Sequence, residues 1–191
     1  MNLTELFQIQ KKLDERIIRE HGLEGQDLLD KKILALQVEL GELAQNWRGF
    51  KFWSKDQEPR TEVYSSEYLV LPDGREIEKV RNPLLEEYVD CLHFLLSIGN
   101  ELEYDYVPKP DFFPTDLITL FLQVNAEISD IYYLLSVVKS ERDHDTLLNT
   151  YQCLFDLFLM IGQRLGFTEE EAIDAYLAKN KINHARQDNS Y

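Results

Sequence analysis

The 191 residues are 44% apolar and 29% charged, a globular balance that excludes a disordered or fibrous chain and suits one compact domain spanning 1–191. Acids outnumber bases 35 to 20, for a formal net charge of −15. So acidic a surface repels phosphate backbones and argues against general nucleic-acid binding, and it poses a question: the carboxylates either coat solvated helix faces or converge in part on a cation site.

Apolar residues recur with helical period along most of the chain. Leu3, Leu6, Phe7, Leu13 and Ile17 form a first stripe, ended by Gly22 and Gly25. Ile33, Leu36, Leu40, Leu43 and Trp47 form a second, ending near Arg48-Gly49. Residues 62–80 break the period: two β-prone runs flank Pro72-Asp73-Gly74, which reads as a hairpin insert (59–82) projecting from a helical body. A third helix starts at Asn82-Pro83, with proline in its first turn, and carries Leu85, Tyr88, Leu92, Leu95, Gly99 and Leu102. A fourth is expected from near Pro114-Thr115-Asp116 to about Lys139, and a fifth over 145–165, stopping at Gly166. The sixth opens on a capping box, Thr168 to Glu171, and runs to about His184, ahead of a basic C-terminal tail over 179–191. The expected fold is all-α: a bundle of about six main helices with a small β-hairpin. Gln37–Leu43 and Gln123–Ile131 resemble each other, as do Phe94–Leu102 and Phe158–Leu165, which hints at a tandem repeat with a degenerate second half.

Residues Met1–Glu5 lack the basic and apolar segments of a signal peptide, and the longest apolar runs, near Leu117–Leu122 and Ile131–Val138, are too short for a membrane span. Cys91 and Cys153 both fall inside apolar helical patterns, as buried thiols in a reducing compartment would. A cytoplasmic protein without a membrane partner is the expectation.

The acidic residues carry the chemistry. Glu39-Leu-Gly-Glu42 puts two carboxylates at i and i+3 beside the second stripe, and Glu87-Tyr-Val-Asp90 repeats the arrangement beside the third, with Glu86 adjacent. Antiparallel packing of those helices would bring four carboxylates together near an apolar core, where repulsion and lost hydration demand cations. All-oxygen ligation suits magnesium or manganese over zinc. A di-iron bundle needs paired Glu-x-x-His motifs, and Glu141–His144, the one such motif, lies in a polar segment. Lys179, Lys181 and Arg186 offer charges for phosphate; Gln10, on the apolar stripe of the first helix, needs a hydrogen-bond partner, either protein or a base edge. Trp47-Arg-Gly-Phe-Lys51-Phe-Trp53 supplies rings that either pack on the core or stack on a nucleobase.

Taken together, Leu6–Asp14, Glu39-x-x-Glu42 with Asn46–Trp53, Glu86-Glu87-x-x-Asp90 with His93-Phe94, and Lys179–Tyr191 resemble the dimeric, all-α dUTPases, a branch of the helical nucleoside-triphosphate pyrophosphatase superfamily that includes MazG. The resemblance implies a degenerate tandem four-helix core and a homodimer that hydrolyses dUTP, and dUDP as well, to dUMP with two or three magnesium (or manganese) ions. It assigns the ions to Glu39, Glu42, Glu87, Asp90 and Glu86, and activation of the attacking water to Glu39 or Glu42. It gives phosphate contacts to Lys179, Arg186 and Tyr191, the base edge to Gln10 and Asn183 with Trp47 or Trp53 lining the base pocket, the sugar hydroxyl to His93, and a substrate contact to Lys51. Asn-Ser precedes Tyr191 where a glycine is expected, a small departure. A related dCTP or general dNTP pyrophosphatase is the alternative. The 59–82 insert resembles extra segments of phage and Gram-positive members and suggests an added regulatory protein partner.

Overall fold

A computed structural model describes residues 3–70, 72–104, 115–137 and 141–188. In chain order the elements are α1 (Leu3–Glu20), α2 (Leu29–Trp47), β1 (Val63–Val70), β2 (Glu76–Arg81), α3 (Pro83–Glu101), α4 (Leu117–Val137), α5 (Glu141–Leu165) and α6 (Glu169–Asp188). The architecture is the expected helical bundle with one antiparallel hairpin. None of the described helices is long and apolar enough to cross a membrane.

Local chemistry sets the boundaries. Asn82 caps α3, its side chain accepting from the Leu85 amide at 3.0 Å, with Pro83 in the first turn where no amide partner is needed. Thr168 and Glu171 close the capping box on α6: the Thr168 amide donates to Glu171 Oε2 at 2.9 Å, and the Glu171 amide donates to Thr168 Oγ1 at 3.2 Å. The expected start of α4 at Pro114 and its end at Lys139 lie outside the described residues.

Two expectations change. The sixth helix does not stop near His184 but continues to Asp188, so residues 179–188 are helix and not tail. The cause is tertiary: Arg16 on α1 donates to the His184 carbonyl at 3.1 Å and to Asp188 Oδ1 at 2.5 Å, tying down the last turns. Cys153 is exposed at the α4–α5 margin, its Sγ 3.5 Å from Glu127 Oε1, whereas Cys91 is buried as expected; both are free thiols.

Helix α3 is the hub. It packs against α1, α2, α5 and α6, and eleven of its residues are buried. It runs antiparallel to α2, since Asn46 reaches Glu87 at one end and Lys32 reaches Glu101 at the other. Its contact with α5 is reciprocal. A Cβ on Gly162 would lie 2.4 Å from the Tyr88 hydroxyl, and one on Gly99 would lie 2.4 Å from the Tyr151 hydroxyl. Each tyrosine thus occupies the space over the other helix's glycine, and each precedes its own helix's glycine by eleven residues. Tyr151 is fully buried and donates to the Leu95 carbonyl at 2.7 Å; Tyr88 stacks on Phe158.

This exchange fixes the register of the internal echo. Helices α3 and α5 correspond at an offset of 63 positions. The buried stripe Ile33, Leu36, Leu40, Leu43 of α2 corresponds to Phe121, Val124, Ile128, Ile131 of α4 at an offset of 88. Glu39 and Glu42 then align with Glu127 and Asp130, but Glu87 and Asp90 align with Thr150 and Cys153. On that alignment the second half matches one acidic pair and not the other.

Candidate active site

The α2–α3 packing brings the acidic motifs together. Carboxylate oxygens of Glu39, Glu42 and Glu87 lie within 4.8 Å of one another, at the edge of the stripe formed by Leu36, Leu40 and Leu43. Asp90, one turn along α3 from Glu87, pairs with Lys179 of α6 at 2.5 Å, both side chains about four-fifths buried. Glu86 is turned away: Arg81, at the end of the hairpin, takes both its oxygens.

The crowding of charge is visible in the acidities. Burial, reinforced by Glu42, Asp90 and Glu39 and opposed by Lys179, pushes Glu87 up to about 7. Burial, with Asp90 and Glu42, also raises Glu39. Repelling carboxylates at the margin of an apolar core, all offering oxygen, form a donor set that fits a hard divalent cation.

Beside this cluster lies a cavity of about 310 Å³, within the range of small-molecule sites. Glu39 and Asp90 form its acidic edge, and Gln10, Asp14, His93 and Ser97 lie along its wall. Helix α6 adds Lys179, Asn183 and Arg186, one face at i, i+4 and i+7. Arg186 donates to Asn183 Oδ1 at 3.2 Å. The site therefore has an acidic end, a basic face and a partly apolar pocket.

Gln10 has protein partners. Its Nε2 donates to Asp14 Oδ1 at 2.7 Å, and its Oε1 accepts from Tyr176 Oη at 2.9 Å and lies 2.6 Å from His93 Nδ1. The tryptophan-rich segment is not among the cavity walls. Trp47 stacks on Phe121 of α4, centroids 5.4 Å apart, with Gly49 directly beneath its ring. Trp53 is exposed and packs edge-on to Phe50 and Phe52, and Lys51 lies 5.7 Å from the Phe50 ring. Tyr191 lies outside the described residues.

The sequence alone did not single out Asp14, Lys32, Ser97 or Tyr176. Spacing carried a signal for two of them: Asp14 follows Gln10 by four residues and Ser97 follows His93 by four, so each extends a polar strip down one helix.

A cavity between helices abutting a carboxylate cluster narrows the families to consider. A family model described as dUTPase matches residues 2–70 and 75–191, nearly the whole chain and every element of the site. The chain belongs to the dUTPase family. No curated protein matches the chain. This dUTPase is of the all-α kind, and its activity is that of a dUTP diphosphatase, a pyrophosphatase acting on dUTP.

Proposed function

We propose that this dUTPase is magnesium-dependent and that water attacks the β-phosphorus of dUTP, forming the new P–O bond as dUMP leaves and pyrophosphate is released. The observation that carries this reading is the convergence of Glu39, Glu42 and Glu87 beside the cavity. Together with Asp90 they would hold the ions, two or three magnesium ions or manganese in their place. Bound there, the metal would neutralise the triphosphate and lower the barrier to its hydrolysis. Glu39 or Glu42 takes the proton from the attacking water; burial and neighbouring carboxylates have raised the basicity of Glu39. Lys179 leaves Asp90 for the phosphates, joined by Arg186 and Tyr191; Asn183 reads the base and His93 the sugar. The same chemistry acts on dUDP.

Pyrophosphate release across dUTP, dCTP and the other dNTPs, with magnesium and with EDTA, tests the reading. Glu42→Gln is expected to lose at least 100-fold in kcat on dUTP, and EDTA to abolish turnover. Full activity of Glu42→Gln would overturn the site assignment, and equal turnover of dCTP would make the protein a broader pyrophosphatase.

Two further roles rest on surfaces. On α4, Ile118, Leu122, Tyr132 and Tyr133 are exposed along one helical stripe, which suits a homodimer contact. Tyr64, Tyr68, Val70 and Val80 are exposed on one face of the hairpin, which suits a regulatory protein partner independent of hydrolysis.

A further inference from the structure

We propose that Asp14, acting through Gln10, is a positioning residue that holds His93 in the Nδ1–H tautomer and so makes its buried Nε2 an acceptor for a donor on the bound nucleoside. The proposal rests on the cavity being the nucleoside site, but its first arm does not need a substrate.

A carboxylate only accepts, and both Asp14 oxygens are claimed: Gln10 Nε2 donates to Oδ1 at 2.7 Å and Ser97 Oγ donates to Oδ2 at 2.7 Å. Lys32 Nζ stands 3.9 Å from Oδ2. Burial raises the pKa of the Asp14 carboxyl, opposed by Lys32, Ser97 and Gln10 and reinforced by Glu101. With its NH₂ group facing Asp14, Gln10 must present Oε1 to the other side. That oxygen also only accepts, so Tyr176 Oη donates to it and His93 Nδ1, at 2.6 Å, carries the proton that donates to it. Reversing the amide would set a carbonyl oxygen against the carboxylate.

The imidazole is neutral, since burial, with the charge of Lys179, pushes its pKa down to about 3, the Tyr176 carbonyl opposing. A neutral ring with its proton on Nδ1 has a lone pair on Nε2. His93 lines the cavity and is more than nine-tenths buried, stacked on Tyr176 at 4.2 Å, and its Nε2 makes no hydrogen bond. An orphaned buried acceptor is costly, so it selects for a ligand that brings a donor. A deoxyuridine offers two, the sugar hydroxyl and the ring N–H.

Nitrogen-15 NMR of the imidazoles in the full-length protein reads the tautomer directly, with His93→Gln identifying the signal. The wild type is expected to show protonation at Nδ1 and a free lone pair at Nε2. In Asp14→Leu, the signal shifts toward a tautomer mixture, while Asp14→Asn, which keeps an acceptor oxygen for Gln10, retains the wild-type form. Should Asp14→Leu fail to fold, the wild-type and Asp14→Asn spectra still decide: an Nε2–H wild type, or an Asp14→Asn spectrum shifted away from Nδ1–H, overturns the proposal. The second arm compares KM for dUTP, its 2′,3′-dideoxy analogue and its N3-methyl analogue. One analogue is expected to bind about tenfold more weakly than dUTP, and Asp14→Leu erases that difference without a matching loss in kcat. The analogue that shows the deficit identifies the donor. A difference unchanged in Asp14→Leu overturns the role of Asp14 in recognition while leaving dUTP hydrolysis standing.

Discussion

At the scale of single residues, the most informative is Glu87. Its pKa rises from 4.5 to about 7, so between those values the folded protein binds a proton that the unfolded chain has released. Stability is therefore lost as pH rises through this window, the reverse of a salt-bridged carboxylate. His93 contributes the opposite sign, its lowered pKa penalising the fold as pH falls below the unfolded value. A variant comparison cancels that term. Glu87→Gln is expected to stabilise the metal-free protein at pH 7.5 by about 1–2 kcal/mol after solvent screening, roughly 2–6 °C in Tm, with about half of that remaining at pH 5.5. Melts in EDTA check this, and an unchanged Tm at pH 7.5 would refute the crowding of charge. The acidic residues were legible in the sequence because i, i+3 spacing beside an apolar stripe is a local signal. Two of the partners of Gln10 were not, because His93 and Tyr176 come from α3 and α6 and only packing brings them to α1.

At the scale of elements, periodicity and caps gave the helices their places, and Pro72-Asp73-Gly74 gave the hairpin its turn. The far end of α6 was beyond such reasoning, since the groups that hold it belong to Arg16 on α1. The hairpin is coupled to the body chiefly at its root. The Arg60 amide donates to the Asn46 carbonyl at 2.9 Å and the Leu84 amide to the Arg60 carbonyl at 3.0 Å, so the helical frame is fastened below the strands. Val63 and Arg81 are paired neighbours, so a short bridge spans the gap left by the insert. Replacing residues 63–80 by two glycines is expected to keep dUTP turnover within about twofold and Tm within a few degrees, because a two-stranded ribbon adds little stability of its own. A tenfold loss of kcat would place the insert in the catalytic machinery.

At the scale of the whole molecule, the net charge of −15 is spread widely: among the described residues Glu39, Glu42, Glu87 and Asp90 gather at the acidic cluster, four of the 35 acids in the sequence. The stripe Ile118, Leu122, Tyr132 and Tyr133 predicts a dimer by light scattering, and Leu122→Lys with Tyr133→Lys is expected to give monomers; a wild-type monomer at micromolar concentration would refute it. Inside, the paired tyrosines and glycines predict that Gly99→Ala costs about 1–3 kcal/mol by overpacking against Tyr151, and that Tyr151→Phe recovers part of that loss in the double variant. Additive losses in a thermal-melt cycle would show the two sites to be independent. The pairing also bears on ancestry. Positions 88 and 162 form one couplet and 99 and 151 the other, each straddling the boundary between the two halves of the chain. A bulkier residue at either glycine would need a smaller ring in the opposite half, so the four positions are expected to vary as two linked pairs.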